Sequence, residues 1–163
     1  MGNLINPYPK RRQTMTEQDM SHEEKMAVLK KGIQQLTGFD NREMSVFMAQ
    51  PRTGKILSRM EAGSRISVLF EVSESKGCVV GHKPGDTYLF PKCGAMDMAE
   101  STGHLCPFLM PPMTRIMWLV QERVWEGLDP LPLYAVGHCD DVGLDCDGWG
   151  RVVIKARILN AET

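Results

Sequence analysis

Ile66-Ser67-Val68-Leu69-Phe70-Glu71-Val72 sends Ile66, Val68, Phe70 and Val72 to one side and Ser67 and Glu71 to the other. A two-residue period is what a half-buried strand requires, because successive Cβ atoms leave the pleat on opposite faces. A second run of this kind lies near the end of the sequence: Val152, Ile154, Ala156 and Ile158 alternate through Arg151 to Leu159. Between the two, Gly81 to Asp86 reads as a turn and Asp86-Thr87-Tyr88-Leu89-Phe90 as the returning strand. A loop rich in Gly and Met then leads to a helix from about Met113 to Glu126. Ile116, Met117, Val120 and Val124 form its buried stripe, and Gly127 closes it. Leu131 to Val136 reads as one further short strand.

Ahead of these strands the pattern is helical. Ser21 and Glu24 form an S-x-x-E capping box, and Met26, Leu29, Ile33 and Leu36 recur at three- and four-residue steps on one face. Gly38 stands where a helix-closing glycine belongs. A shorter helix from Asn41 turns Met44, Phe47 and Met48 inward and stops before Pro51. Two short amphipathic helices do not bury themselves and need a further surface to pack on. Residues 1–20, with prolines and Lys10-Arg11-Arg12, read as an irregular arm whose basic triplet is a solvated stretch. The expected organisation is an arm over 1–20, a helical extension over 21–63 and an α+β domain over 64–163. That domain is a mainly antiparallel sheet with one long packing helix.

Composition narrows the function classes. With 163 residues, 42% hydrophobic and 24% charged, the chain has ordinary globular make-up. A chain of this length buries roughly two thirds of its unfolded surface and needs no disulfide to hold together. Lys and Arg number 19 against 20 Asp and Glu, so no charge excess favours nucleic acid or an anionic membrane as partner. The first 25 residues hold no apolar run of the kind a secretory signal needs. Met1-Gly2 lacks the Ser or Thr that myristoylation wants, because Asn6 occupies that position. Leu105 to Val120 is interrupted by Pro107, Pro111, Pro112 and Arg115 and does not read as a membrane span. A cytoplasmic location is therefore expected, with reduced thiols, and the five cysteines are candidates for metal or redox chemistry. The twelve methionines read as adaptable core packing.

The soft donors are Cys78, His82, Cys93, His104, Cys106, His138, Cys139 and Cys146, most of them at strand ends or in loops. Cys78 and His82 flank one turn, Val79-Val80-Gly81. Cys106 precedes Pro107, a residue suited to the first helical position, where a helix dipole would favour the thiolate. Cys139 follows the Tyr134–Val136 stretch of strand and opens an acidic loop. Tetrahedral Zn2+ takes four nitrogen or sulfur donors, and Cys78, His82, Cys106 and Cys139 make such a closed set. An iron–sulfur cluster wants four thiolates, so Cys93 or Cys146 would have to join the other three. Because no CxxC pair is present, scattered buried thiols and partnered histidines stand as the metal-free alternative. Asp86, near His82, either orients the imidazole or caps the turn.

Weaker signals have plainer readings. Asp140, Asp141, Asp145 and Asp147 with Gly148 lack EF-hand spacing and its closing Glu, so they read as a solvated acidic turn. Arg52-Thr53-Gly54-Lys55 lacks the glycine and Lys-Ser/Thr order of a phosphate loop. Trp118 and Trp125, seven apart on one helix, read as core or subunit packing.

Gly77-Cys78-Val79-Val80-Gly81-His82-Lys83-Pro84-Gly85-Asp86, then Gly103-His104-Leu105-Cys106-Pro107, then Cys139-Asp140 ahead of the Val152–Ile158 strand, resembles a known pattern. It is that of a family of small uncharacterised prokaryotic proteins with a C-x-x-GHK-x-GD element, a later G-x-CP and a C-terminal CPDG. The resemblance spans about residues 66–159 and leaves the N-terminal helices outside it. It implies a shared fold and a shared Cys/His constellation, and no particular reaction. The chain departs from the pattern at Cys139-Asp140-Asp141, where the family has Cys-Pro-Asp, and at Pro111-Pro112, which interrupt the expected helix start.

The leading expectation is a metal- or cluster-binding accessory module or small subunit of a larger enzyme, with zinc ahead of an iron–sulfur cluster and homo-oligomerisation as the other mode of association. A stand-alone enzyme is the second reading, with an open metal site or with Cys106 as nucleophile and His82, His104 or His138 as base. A metal-free structural domain is the third.

Overall fold

A computed structural model of the protein describes residues 21–160. The arm expected over residues 1–20 lies outside the described residues. The chain divides into two compact units, Met1–Gln50 and Pro51–Thr163.

The first unit holds α1 (His22–Thr37) and α2 (Asn41–Ala49). Both begin with reciprocal capping boxes, Ser21 with Glu24 and Asp40 with Glu43, which satisfy the otherwise orphaned first N–H groups. Gly38 closes α1 at φ 72°, in the left-handed region a glycine occupies without steric cost. Ile33 and Met44 are buried, and the Phe39 and Phe47 rings meet at 6.0 Å. Leu36, expected on the buried stripe, is instead 86% exposed in the last turn of α1.

In the second unit α3 (Thr53–Ser64) precedes β1 (Ile66–Lys76), β2 (Thr87–Phe90), α4 (Met110–Glu126), β3 (Val136–His138) and β4 (Arg151–Asn160). All pairings are antiparallel and the strand order is β2-β1-β4-β3. The fold is α+β, as the alternation implied. Phe70 lies opposite Tyr88 on one side and Ala156 on the other, so the inward faces of three strands meet in one layer. Onto that layer α4 lays Met113, Ile116, Met117, Val120 and Val124, all buried. At roughly 25 cal/mol per Å2 of apolar surface, this helix-on-sheet layer is the main source of stability.

Three boundaries differ from expectation. The long helix begins at Met110, not Met113, because Pro111 and Pro112 sit in its first turn, where a missing N–H leaves no bond unmade. The strand expected over Leu131–Val136 is displaced to Val136–His138, and Leu133 and Tyr134 are 88% and 76% exposed. The helical extension expected over 21–63 divides after Gln50, because α3 belongs with the sheet unit. Lys55 of α3 reaches the Glu126 carboxylate at 2.6 Å, and Gly63 lies against the Trp125 ring. The Arg52-Thr53-Gly54-Lys55 segment thus leads into this helix, which begins without a side-chain capping bond.

The free edge of β2 is covered. Thr87 and Leu89 donate to the hydroxyls of Thr102 and Ser101, and Asp97 N–H bonds the Leu89 carbonyl, so the 97–102 loop satisfies a row of groups that would otherwise invite pairing. No helix among the described residues is long and apolar enough to cross a membrane.

Candidate functional site

The end of β1 and the start of β4 decide where the soft donors lie. Lys76 pairs with Arg151, and just beyond them Gly77 and Trp149-Gly150 cross in close contact. A Cβ on Gly150 would stand 2.3 Å from the Lys76 carbonyl oxygen, so only glycine permits the crossing. From there Cys78 opens the turn that carries His82, and the chain returns beside β1, where Val72 N–H donates to the Asp86 carbonyl at 2.8 Å. Cys139 leaves β3 next to Val152: its N–H bonds the Val152 carbonyl at 2.9 Å, and Val152 N–H donates to its sulfur at 3.2 Å. Cys106 sits in the turn ahead of α4, its carbonyl accepting the N–H groups of Leu109 and Met110, both at 3.0 Å. The helix starts at Met110, so Cys106 is not the helix-terminal thiol that Pro107 suggested.

Cys78, His82, Cys106 and Cys139 all line one cavity of about 320 Å3 at this end of the sheet. Phe108, Trp149 and Arg151 line it too, as does Asp141. The other soft donors do not. Cys93 is buried in a short helical turn after β2, its carbonyl bonded by Gln121, and burial raises its thiol pKa. Cys146 is exposed. His138 is exposed and its Nδ1 meets the Cys139 carbonyl at 2.7 Å, while His104 contributes only its carbonyl to the interior. The four cavity donors do not stand as a ready coordination sphere. Among the described residues, no three His, Cys, Asp or Glu side chains are gathered as a metal ion requires.

His82 is 4% exposed, and its two ring nitrogens have different surroundings. Nδ1 lies 2.9 Å from the Tyr88 hydroxyl, and that hydroxyl donates its proton to the His104 carbonyl at 3.1 Å. A phenol has one proton to give. With it committed to His104, the Tyr88 oxygen accepts from Nδ1–H, and Nε2 is left as the bare lone pair. Nε2 is buried and has no hydrogen-bond partner. Burial lowers the His82 pKa, the Asp86 charge opposes that shift and His104 adds to it, so the imidazole tends to the neutral form that ligates metals. Burial, reinforced by Asp86, Cys106 and Cys78, pushes the Tyr88 pKa far up and keeps its proton in place.

The residue that orients His82 is therefore Tyr88 and not Asp86. Asp86 caps its turn, accepting Lys83 N–H at 2.8 Å. Gly103 makes the Tyr88 arrangement possible, since a Cβ there would stand 2.3 Å from the phenol oxygen. Asp141 is likewise spent on structure, its Oδ1 accepting N–H groups from Gly143 at 2.9 Å and Trp149 at 3.0 Å. Those backbone bonds hold its carboxyl pKa below the usual value, as in a turn cap.

Compared with protein families, curated proteins and solved structures, the chain matches none.

Proposed function

We propose that residues 51–163 form a zinc-binding module in which Cys78, His82, Cys106 and Cys139 hold one ion. The observation that carries this is the buried, unpartnered Nε2 of His82 in a cavity shared with three thiols. An unsatisfied buried acceptor costs about 1–3 kcal/mol, and a bound cation removes that cost. The tautomer that leaves Nε2 bare is the one a metal-ligating histidine needs, with its other N–H held by a neighbouring oxygen. Each cysteine has a single side-chain torsion with three staggered wells, so binding draws the sulfurs inward by rotamer changes. Zinc fits this mixed set better than an iron–sulfur cluster does, because neither Cys93 nor Cys146 lines the cavity to supply a fourth thiolate.

The same reading extends to context. The module serves as an accessory domain or small subunit of a larger enzyme, or pairs with a second copy, in keeping with the family pattern its Cys/His elements resemble. The competing enzyme reading takes Cys106 as nucleophile and His82 as base, since both line the cavity. Elemental analysis of protein purified without added metal separates the two. One zinc per chain, falling to background in His82→Ala and Cys106→Ser, supports the module; a folded, zinc-free protein whose Cys106 reacts rapidly with N-ethylmaleimide supports the enzyme.

A further inference from the structure

The four donors are not equivalent. His82, Cys106 and Cys139 are 4%, 5% and 5% exposed, and Cys106 and Cys139 are pinned through their own backbone bonds. Cys78 is only half-buried, on a turn flanked by Gly77 and Gly81 at φ 65° and 87° and closed by one 3.2 Å bond from Gly81 N–H to its carbonyl. Around that mouth the protein exposes Val79, Phe108 and Trp149 at 72%, 56% and 69%. They come from three separate segments, and backbone bonds fix two of these in place: Asp140 N–H to the Phe108 carbonyl at 2.9 Å, and Trp149 N–H to the Asp141 carboxylate at 3.0 Å. Large apolar side chains gathered in solvent at one cavity mouth mark a binding surface. Arg151 lines the same cavity, and no hydrogen bond or ion pair engages its guanidinium among the described residues, whereas Arg115, Arg123 and Arg157 each meet an acceptor.

We propose that Cys78 is a displaceable fourth ligand, and that its place is taken by a small organic anion whose charge meets Arg151 and whose apolar body lies against Phe108 and Trp149. The proposal rests on the zinc reading. Two thiolates and a neutral imidazole around a divalent ion carry no net charge, so a fourth donor, whether the Cys78 thiolate or a carboxylate, adds only a single negative charge, which Arg151 meets. Three protein ligands with one exchangeable position is the arrangement of metal sites that bind an outside molecule. A planar guanidinium suits a carboxylate because it donates two parallel bonds.

The full chain loaded with cobalt(II) tests this through its visible spectrum. Cys78→Ser is expected to retain one cobalt per chain, while Cys106→Ser and Cys139→Ser lose it. With the internal competitor gone, benzoate perturbs the Cys78→Ser spectrum at a concentration at least about tenfold lower than in the unsubstituted protein, and neutral benzamide does not. Adding Arg151→Gln raises the benzoate concentration required by about tenfold or more, the loss expected when a charged hydrogen-bond partner is removed, and leaves cobalt content unchanged. Equal loss of cobalt from all three cysteine variants overturns the proposal and leaves the zinc site standing, as does benzamide binding as well as benzoate. An unsubstituted chain that takes up no cobalt overturns both.

Discussion

Tyr88 and His82 carry the argument at the level of single residues. A phenol that gives its proton to a carbonyl and takes one from an imidazole sets which ring nitrogen stays bare. Tyr88→Phe removes that control, and zinc affinity measured by competition with a chromophoric chelator is expected to fall about 10- to 100-fold, the usual consequence of losing an outer partner of a ligating histidine. An unchanged affinity would mean that His82 does not ligate. A pH dependence follows from the same ring. The folded pKa of His82 lies below its unfolded value, so at low pH the unfolded chain binds the extra proton more readily. Its contribution to stability is thus complete above about pH 6.5, the ordinary imidazole value, and is lost as the pH falls through the lower folded pKa. In chelator-treated protein the melting temperature should drop over that window, and His82→Gln should flatten the drop. The sequence showed His82 as a donor and offered Asp86, near in the chain, as either its partner or a turn cap; the second holds. Tyr88 looked like any strand residue. The available signal was that a buried tyrosine hydroxyl needs a hydrogen-bond partner, and its register opposite Phe70 turns it inward.

At the scale of elements, β1, β4 and α4 were legible because each faces the core on one side only, and burial then prints a period into the sequence. Phe70 sits at the centre of that layer, fully buried, with the Phe90 ring edge-on at 5.6 Å. Phe70→Ala is expected to cost about 3–5 kcal/mol in chemical denaturation, the range for emptying a large aromatic site; a cost under 1 kcal/mol would show that the sheet and helix do not pack as described. Elements without such a print were missed. α3 contains Gly54 and Gly63 and has no side-chain cap, so although its centre, Lys55 to Ala62, is made of good helix formers, neither end announces itself in the sequence. The apolar Leu131–Val136 run looked like a strand, yet most of its side chains are exposed, and the pairing falls on Val136–His138.

For the whole molecule, the organising fact is that, among the described residues, one hydrophobic core runs from Ile66 to Ala156 and lies within the second unit. A chain starting at Pro51 should therefore unfold in a single cooperative transition and bind zinc with the affinity of the full chain. Loss of cooperative unfolding in that shorter chain would show that the first unit is needed to complete the fold. The convergence of Cys78, His82, Cys106 and Cys139 was readable as a possibility only, because residues up to 61 positions apart, 78 to 139, meet through strand pairing that no local pattern encodes. Zinc K-edge X-ray absorption on the purified protein tests the central claim most directly. The predicted first shell is three sulfurs near about 2.3 Å and one nitrogen near about 2.0 Å, with the nitrogen lost in His82→Ala. A shell of oxygens, or a folded protein with no zinc to measure, would contradict it.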